Sequence, residues 1–279
     1  MSNNQAAWVD GPGDEIRIGT HELGKPGQEN RQVVWVDDWP TSLGYYLAGE
    51  VISTGTGVKE IVPSQRVLAC ALHLSLKDWD FQRYSIVRAD VVTPFPKDML
   101  FEQAAVFPLV LATSAVGLYR KEYLDLPLPK TTPRSEIGKT ILIWGGSSSV
   151  GCAAIQLAVA SGFEVVTTAS RRNFGLCSDL GAQHVIDYHS PQNKEDAIQV
   201  LRETTVVGPF ATIDTIDTIT TIAKIIATLG AGFISTTKPP PENLPKGVFA
   251  KMVGATDYSA IEGGELFKEY LPTALRLGA

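Results

Sequence analysis

A glycine- and serine-rich loop, Gly145-Gly-Ser-Ser-Ser-Val-Gly151, carries the clearest chemical signal in the sequence. It follows a continuous apolar run, Thr140 to Trp144, which is suited to a buried parallel strand. The apolar periodicity after the loop predicts a helix to about Ser161. A loop in this position presents unpaired backbone N–H groups at the positive end of a helix dipole, where phosphate binds. The segment therefore predicts a site for the pyrophosphate of a dinucleotide.

The residues of this loop have separate expected roles. Gly146 allows a tight turn, and Gly151 allows the helix to pack closely on the strand. Ser148 stands where the dinucleotide fingerprint has its middle glycine, and its hydroxyl can donate to phosphate. The predicted phosphate-binding residues are Gly146, Ser147, Ser148, Ser149, Val150 and Gly151. A turn without any ligand is the alternative, which the complete strand–helix–strand context disfavours.

The end of the next predicted strand, Glu164 to Ala169, bears on the choice of dinucleotide. An NAD-specific fold usually has an acid there for the ribose hydroxyls, but this chain continues Ser170-Arg-Arg-Asn173. Ser170 can bond a 2'-phosphate, and Arg171 or Arg172 can neutralise it, because guanidinium groups match phosphate geometry. We therefore expect NADPH or NADP+ as cofactor, bound through Ser170, Arg171, Arg172 and Asn173. The alternative for one of the two arginines is simple solvation.

These motifs lie in a part of the chain where strands and helices alternate. Further strands are predicted at His184–Asp187, Thr212–Ile216 and Gly232–Thr236, and helices at Phe174–Leu180, Lys194–Glu203 and Ile219–Leu229. This alternation requires crossover helices on both faces of a parallel sheet. The predicted fold class is α/β, with a Rossmann doubly wound parallel sheet in residues 121–279.

Residues 1–120 show a different sequence pattern. Short β-like pieces separated by Gly, Pro and Asp indicate a small barrel-like domain, and they are Gln32–Val36, Ala48–Gly55, Arg66–Ala71 and Tyr84–Val87. From Leu100 to Tyr119 the pattern becomes helical and is broken by Pro108. Leu124–Ser135, with three prolines, is predicted to be a surface loop.

Composition excludes several classes of partner. The net charge of -6 and the lack of a Lys/Arg run argue against nucleic acid. No stretch is expected to reach the roughly 18 apolar residues of a membrane span, and no signal peptide is visible, so we expect a cytoplasmic protein. The three cysteines, Cys70, Cys152 and Cys177, are expected to be buried free thiols.

The sequence resembles the medium-chain dehydrogenase/reductase superfamily, especially its zinc-free quinone oxidoreductases and fungal trans-acting enoyl reductases. The stretches that carry the resemblance are Gly49–Val58, Phe81–Tyr84, Glu102–Leu109, Ala112–Leu118, Ile141–Gly162 and Leu180–Tyr188. The resemblance implies a GroES-like barrel joined to the cofactor domain. It also implies that Thr113 lies near the nicotinamide and Tyr188 near the 2'-phosphate. No metal is expected, because zinc-dependent relatives have Gly-His-Glu where this chain has Gly44-Tyr-Tyr46.

The chain departs from this family in two places. An Asn-Pro-x-Asp segment that lines the family's substrate cleft is missing between Val36 and Thr41, where Asp37, Asp38 and Trp39 either line the cleft or form a solvated turn. The chain also stops at Leu275-Arg-Leu-Gly-Ala279, where relatives continue. We therefore expect the last cofactor-domain strand and the return to the barrel to be absent. The Lys251–Ser259 region, an edge strand in relatives, suggests a homodimer.

These observations favour an NADPH-dependent reductase of an activated double bond in an enoyl or quinone-type substrate of secondary metabolism. The substrate would be a small molecule or a carrier-bound acyl group. Hydride transfer creates an enolate that needs a hydrogen-bond donor, and the candidates are Thr113, Tyr45 and Tyr84. The alternative is a non-redox lyase, isomerase or cyclase, or a regulatory dinucleotide-binding protein, because fold does not determine function.

Overall fold

The computed structural model describes residues 4–9, 17–21, 41–42, 44–70, 82–132, 136–230, 232–254 and 266–277. The chain divides into two compact units, one of Met1–Leu109 with Tyr258–Ala279 and one of Val110–Asp257. The predicted division into residues 1–120 and 121–279 differs from this at both places where the chain changes unit. The packing of helix Pro108–Tyr119 and of the C-terminal helix accounts for the two differences.

The first unit is rich in antiparallel strands. One sheet has the order β2-β1-β3, from β1 (Asn4–Val9), β2 (Arg17–His21) and β3 (Thr41–Ser42). A second sheet has the order β4-β5-β6, from β4 (Tyr46–Glu50), β5 (Arg66–Cys70) and β6 (Val92–Pro94). Val67 and Ala69 of β5 pack with Val92 of β6 in a small buried cluster. A short helix, α1 (Phe101–Ala104), follows the second sheet.

The predicted strands of this unit have mixed outcomes. Arg66–Ala71 is confirmed as β5, and Ala48–Gly55 overlaps β4, which ends earlier because a turn at Gly55–Val58 follows. Tyr84–Val87 is not a strand, since the structure assigns it bend and irregular backbone. Gln32–Val36 lies outside the described residues.

The second unit is built on six parallel strands with helices between them. The strands are β7 (Thr140–Trp144), β8 (Glu164–Ala169), β9 (His184–Asp187), β10 (Val206–Ala211), β11 (Gly232–Thr236) and β12 (Val248–Met252). The helices are α2 (Pro108–Tyr119), α3 (Ser149–Ala160), α4 (Phe174–Asp179), α5 (Asn193–Leu201) and α6 (Ile216–Leu229). The strand order is β12-β11-β10-β7-β8-β9, which is the order of a dinucleotide-binding sheet. The predicted α/β class and doubly wound parallel sheet are confirmed.

Two expectations for this sheet are wrong. The strand predicted at Thr212–Ile216 lies earlier, at β10, where the register with β7 shifts between Val206 and Gly208. The expectation that the last cofactor-domain strand is absent also fails, because β12 pairs in parallel with β11 and is the sixth strand. Lys251 belongs to β12, which ends the described sheet, whereas residues 255–259 lie outside the description.

Helix α2 packs on the parallel sheet, which explains why it belongs to the second unit. A Cβ atom at Gly117 would lie 2.8 Å from the ring of Phe210 in β10, so the missing side chain allows this contact. Ser235 in β11 donates its hydroxyl to the carbonyl of Gly117 at 2.9 Å. The Tyr119 hydroxyl donates to the carbonyl of Leu157 in α3 at 3.0 Å. These contacts join α2 to two strands and a helix of the second unit.

The stretch Phe101–Tyr119 is, by length and composition, apolar enough to cross a membrane, and it is the one such helix among the described residues. This corrects the expectation that no stretch approaches that length. The stretch is interrupted between α1 and α2, and most of α2 is buried inside the second unit. Its apolar character is therefore that of a core helix.

The described C-terminal segment belongs to the first unit rather than to the nucleotide-binding one. A π-helical turn, Leu266–Tyr270, leads into α7 (Leu271–Leu277), and both lie against β6. Leu266 and Leu271 are buried. Burial of these apolar side chains in the first unit is the reason why the predicted range 121–279 is too long at its end.

Replacing Gly117 with alanine is expected to destabilise the second unit. The added methyl group would overlap the Phe210 ring, so we expect the free energy of unfolding to fall by about 1–3 kcal/mol in denaturant titration. Gly175→Ala is the matched control, because a Cβ atom there meets nothing within 4 Å and alanine favours a helix. Equal stabilities of the two variants would contradict this packing.

Candidate dinucleotide-binding site

The loop between β7 and α3 is held in shape by Ser148. This residue caps α3, and its Oγ accepts a hydrogen bond from the N–H of Gly151 at 2.9 Å. The same Oγ lies 3.0 Å from the hydroxyl of Thr212. The Ser148 hydroxyl therefore serves the loop itself in this arrangement, whereas the sequence suggested a donor to phosphate.

Two glycines of the loop have no room for a side chain. A Cβ atom at Gly146 would come within 3.0 Å of Thr167 Oγ1, and one at Gly151 would come equally close to the backbone of Gly145 and Gly146. Gly145 has a φ of 91°, which L side chains rarely adopt. The geometry agrees with the turn role predicted for Gly146 and the close-packing role predicted for Gly151.

Two threonines that sequence reasoning missed fasten this loop to the sheet. The Thr168 hydroxyl accepts from the N–H of Gly145 at 3.0 Å, and the Thr168 carbonyl accepts from the N–H of Gly146 at 2.9 Å. The Thr212 hydroxyl lies 2.9 Å from the carbonyls of both Trp144 and Gly145. Thr168 lies near the end of β8 and Thr212 directly follows β10, so the available sequence signal was a hydroxyl residue close to the end of a strand that neighbours β7.

The start of α3 offers free amide groups for an anion. Within the described residues, the backbone N–H groups of Ser147, Ser149 and Val150 have no protein acceptor. The absence of side chains at Gly146 and Gly151 lets the loop and the start of α3 pack closely on β7 and β8. The loop lies at the point where the strand order reverses, between β7 and β10, where dinucleotides bind. The residues present therefore fit a dinucleotide pyrophosphate.

The end of β8 carries the predicted 2'-phosphate residues in a single 3-10 turn, Arg171–Asn173. Asn173 donates its backbone N–H to the Ser170 carbonyl at 2.8 Å, and its side chain donates to the Ser170 hydroxyl at 3.3 Å. Arg171 Nε donates to Asp187 Oδ2 at 2.8 Å. Arg172 is exposed and has no partner among the residues that the structure describes.

The end of β9 lies beside this turn. Tyr188 donates its N–H to the Ala169 carbonyl at 3.3 Å, and its exposed ring stacks on His189 with ring centroids 4.0 Å apart. The hydrogen bond from Arg171, and then that from the His189 N–H, hold the pKa of Asp187 below its ordinary value. Asp187 is therefore charged at neutral pH and pairs with Arg171 Nε, while the Arg171 side chain stays 85% exposed and Arg172 has no partner among the described residues.

The predicted catalytic residues lie in different units. Thr113 is partly buried in α2, and its neighbour Ser114 donates its hydroxyl to the Val150 carbonyl at 3.0 Å. This bond fixes α2 beside the start of α3, one residue away from Thr113. Tyr45 and Tyr84 are partly buried residues of the first unit.

A buried carboxylate, Asp214, follows β10 and was also missed in the sequence. Its side chain accepts hydrogen bonds from the backbone N–H groups of Thr237 at 2.7 Å and Lys238 at 2.8 Å. The Thr237 hydroxyl donates to its second oxygen at 3.0 Å. Asp214 therefore ties the chain that follows β10 to the chain that follows β11.

Metal-ligating side chains are not clustered in the part of the chain that the structure describes. Among the described residues, no group of three His, Cys, Asp or Glu side chains could hold a metal ion. None of the three cysteines forms a disulfide; Cys70 and Cys177 are buried as expected, whereas Cys152 is partly exposed. Burial, together with the neighbouring Cys152, raises the pKa of Cys177 to about 11.

Known proteins are similar to this chain in sequence and in fold. A family model described as zinc-binding dehydrogenase matches residues 149–243. The dehydrogenase azaJ of Aspergillus niger is 38% identical over 254 residues, which cover 88% of this chain and 73% of that protein. The chain belongs to the medium-chain dehydrogenase/reductase superfamily. The resemblance given by the sequence motifs is therefore confirmed.

Two further proteins are similar to this chain. The trans-enoyl reductase himH of Aspergillus japonicus is 36% identical over 248 residues, which cover 86% of this chain and 71% of that protein. Escherichia coli quinone oxidoreductase, solved in complex with NADPH, matches with a TM-score of 0.67 at 18% identity, covering 98% of this chain and 88% of that one. The second match shows a shared fold.

Replacing Gly151 with alanine is expected to abolish tight dinucleotide binding. The new methyl group would press on the backbone of Gly145 and Gly146 and displace the loop, so we expect NADPH affinity to fall about tenfold or more, a loss of about 1.4 kcal/mol. Fluorescence titration of NADPH measures this change. Gly175→Ala should retain wild-type affinity. An unchanged affinity in Gly151→Ala would refute dinucleotide binding at this loop.

Proposed function

We propose that this protein is an NADPH-dependent reductase of an activated double bond, with an enoyl or quinone-type substrate of secondary metabolism. The observation that carries the proposal is the set of free amides at the start of α3, next to an exposed Arg172 at the end of β8. The first feature suits a pyrophosphate and the second a 2'-phosphate. The choice of reaction is supported by the similarity to himH, a trans-enoyl reductase, and to the E. coli enzyme, a quinone oxidoreductase.

Different residues of the chain bind different parts of the dinucleotide. The amides of Ser149 and Val150 bind the pyrophosphate, and Ser170 with Arg172 binds the 2'-phosphate. The exposed ring of Tyr188 contacts the adenosine side. The glycines of the loop serve this binding by letting α3 begin close against the sheet, because a side chain at Gly146 or Gly151 would meet Thr167 or the backbone of the loop.

Bound NADPH supplies a hydride for the electrophilic carbon of the substrate. Negative charge then develops on the carbonyl or quinone oxygen, and a hydrogen-bond donor stabilises it. The donors proposed for this role are the hydroxyls of Thr113, Tyr45 and Tyr84. No metal is needed, because a hydroxyl donor supplies the polarisation that zinc supplies elsewhere.

The proposal extends to the state of the protein in the cell. A small-molecule or carrier-bound acyl substrate and a cytoplasmic location suit an NADPH-dependent reductase. We propose a homodimer joined through β12, the last strand of the described sheet. Phe249 and Met252 on this strand are 67% and 40% exposed, and an open strand edge favours pairing with a second copy.

Turnover with defined substrates tests the reaction. We expect the purified protein to oxidise NADPH in the presence of α,β-unsaturated carbonyl compounds or quinones, and the product to carry two additional hydrogens by mass spectrometry. A chelator should leave the rate unchanged. Tight NADPH binding without any oxidation across the panel would contradict the proposal and favour a non-redox enzyme.

The choice of NADPH can be tested at Arg172. Because this guanidinium is free, Arg172→Ala should weaken NADPH binding about tenfold and NADH binding less than about twofold, since a phosphate–arginine contact contributes about 1.5–3 kcal/mol. The double variant with Arg171→Ala should lose more. Arg202→Ala, an exposed arginine after α5, is the charge-matched control. Equal losses for the two dinucleotides would refute phosphate recognition.

A further inference from the structure

The chain that follows β10 is fastened in two directions. The Thr212 hydroxyl contacts the carbonyls at the end of β7, on one side of β10. Two residues later, the Asp214 carboxylate accepts from Thr237 and Lys238, which follow β11 on the other side. The side chain between them, Ile213, is 54% exposed. Three neighbouring strand ends are thus held together at the edge of the sheet where the dinucleotide crevice opens.

Asp214 is unusual because it is a buried carboxylate. It is 4% exposed, and burying a charge is costly unless it is fully hydrogen-bonded. Three donors meet it: two backbone N–H groups and the Thr237 hydroxyl. A buried acid with this pattern of hydrogen bonds fixes the backbone that donates to it.

The segment that Asp214 fixes is restrained from other directions as well. The Thr236 hydroxyl donates to the Lys238 carbonyl at 2.6 Å, and the Thr236 carbonyl accepts from the N–H of Val253 at 2.8 Å. Three consecutive prolines, Pro239–Pro241, follow and restrict the backbone further. Residues 237–238 are therefore held in one conformation.

The position of this segment in the sheet indicates which part of the cofactor it meets. A dinucleotide spans the switch point, with one nucleotide on each half of the sheet. The 2'-phosphate residues follow β8, so the adenosine half belongs on the side of β8 and β9. The other half then lies over the ends of β10 and β11, which are the strand ends that Asp214 joins.

We propose that Asp214 is a positioning residue for the nicotinamide half of the cofactor. It holds the backbone of Thr237 and Lys238 in the conformation that the nicotinamide nucleoside requires, and it touches neither cofactor nor substrate itself. This inference rests on the proposed function, because it needs a dinucleotide in the crevice.

Comparing NADPH with 2',5'-ADP tests the inference, because the second compound has only the adenosine half. Asp214→Ala removes all three hydrogen bonds, so we expect NADPH affinity to fall about tenfold while 2',5'-ADP affinity changes less than about twofold. The kcat for NADPH oxidation should also fall about tenfold or more, since misplacing a reactant is costly. Both affinities are measured by calorimetry.

Asp214→Asn separates positioning from simple loss of fold. An asparagine can keep its oxygen toward both backbone N–H groups and donate its amide to the Thr237 hydroxyl. We therefore expect it to restore most of the NADPH affinity and turnover. Asp217→Asn, an exposed acid in the first turn of α6, controls for the lost charge and should behave like wild type.

Each remaining outcome contradicts one of the two proposals. Parallel loss of NADPH and 2',5'-ADP binding in Asp214→Ala would mean that Asp214 only maintains the fold, and the inference would be wrong. Unchanged NADPH binding in that variant would also overturn it. Failure of the wild-type protein to bind either compound would refute the proposed function itself, and the inference with it.

Discussion

Helix α3 begins against the end of β7 with no space for a side chain at Gly146 or Gly151, and the rest of the site depends on this contact. The close approach brings the first amides of the helix to the edge of the sheet, where no described residue accepts a hydrogen bond from them. It also requires the loop to be held by other residues, because glycine itself restrains the backbone little. Thr168 and Thr212 provide that restraint from the two strands that flank β7.

The order of strands turns these local contacts into a binding crevice. Because β8 and β10 lie on opposite sides of β7, the chain leaves the centre of the sheet in two directions. The residues after β8 are charged and exposed, whereas those after β10 include a buried carboxylate and a buried hydroxyl. The half of the crevice after β8 is thus suited to binding a phosphate. The half after β10 consists of backbone that hydrogen bonds hold in place.

Local signals allowed much of the fold to be predicted from the sequence. Strand β7, the loop at Gly145 and helix α3 are consecutive in the chain. Their conformations therefore depend mainly on residues that are close in sequence. The strand β10 was misplaced because Gly208 and Pro209 resemble a turn, whereas in the sheet a register shift accommodates them. Thr212 and Asp214 were missed because their partners lie 23 to 68 residues away. The pairing of Arg171 with Asp187 likewise depends on two strand ends meeting.

The return of the C-terminal helix to the first unit has a consequence for how the chain acquires its structure. The second unit is continuous in sequence, so every contact within it is available once Asp257 has been synthesised. The first unit is assembled from two segments on either side of the second unit, and Leu266 and Leu271 contribute to its interior only after the whole second unit has been synthesised. Contacts of such long sequence separation form slowly, because the intervening chain must first be closed into a loop. The dinucleotide-binding unit is therefore expected to fold first, and the β-rich unit to be the last to bury its apolar surface.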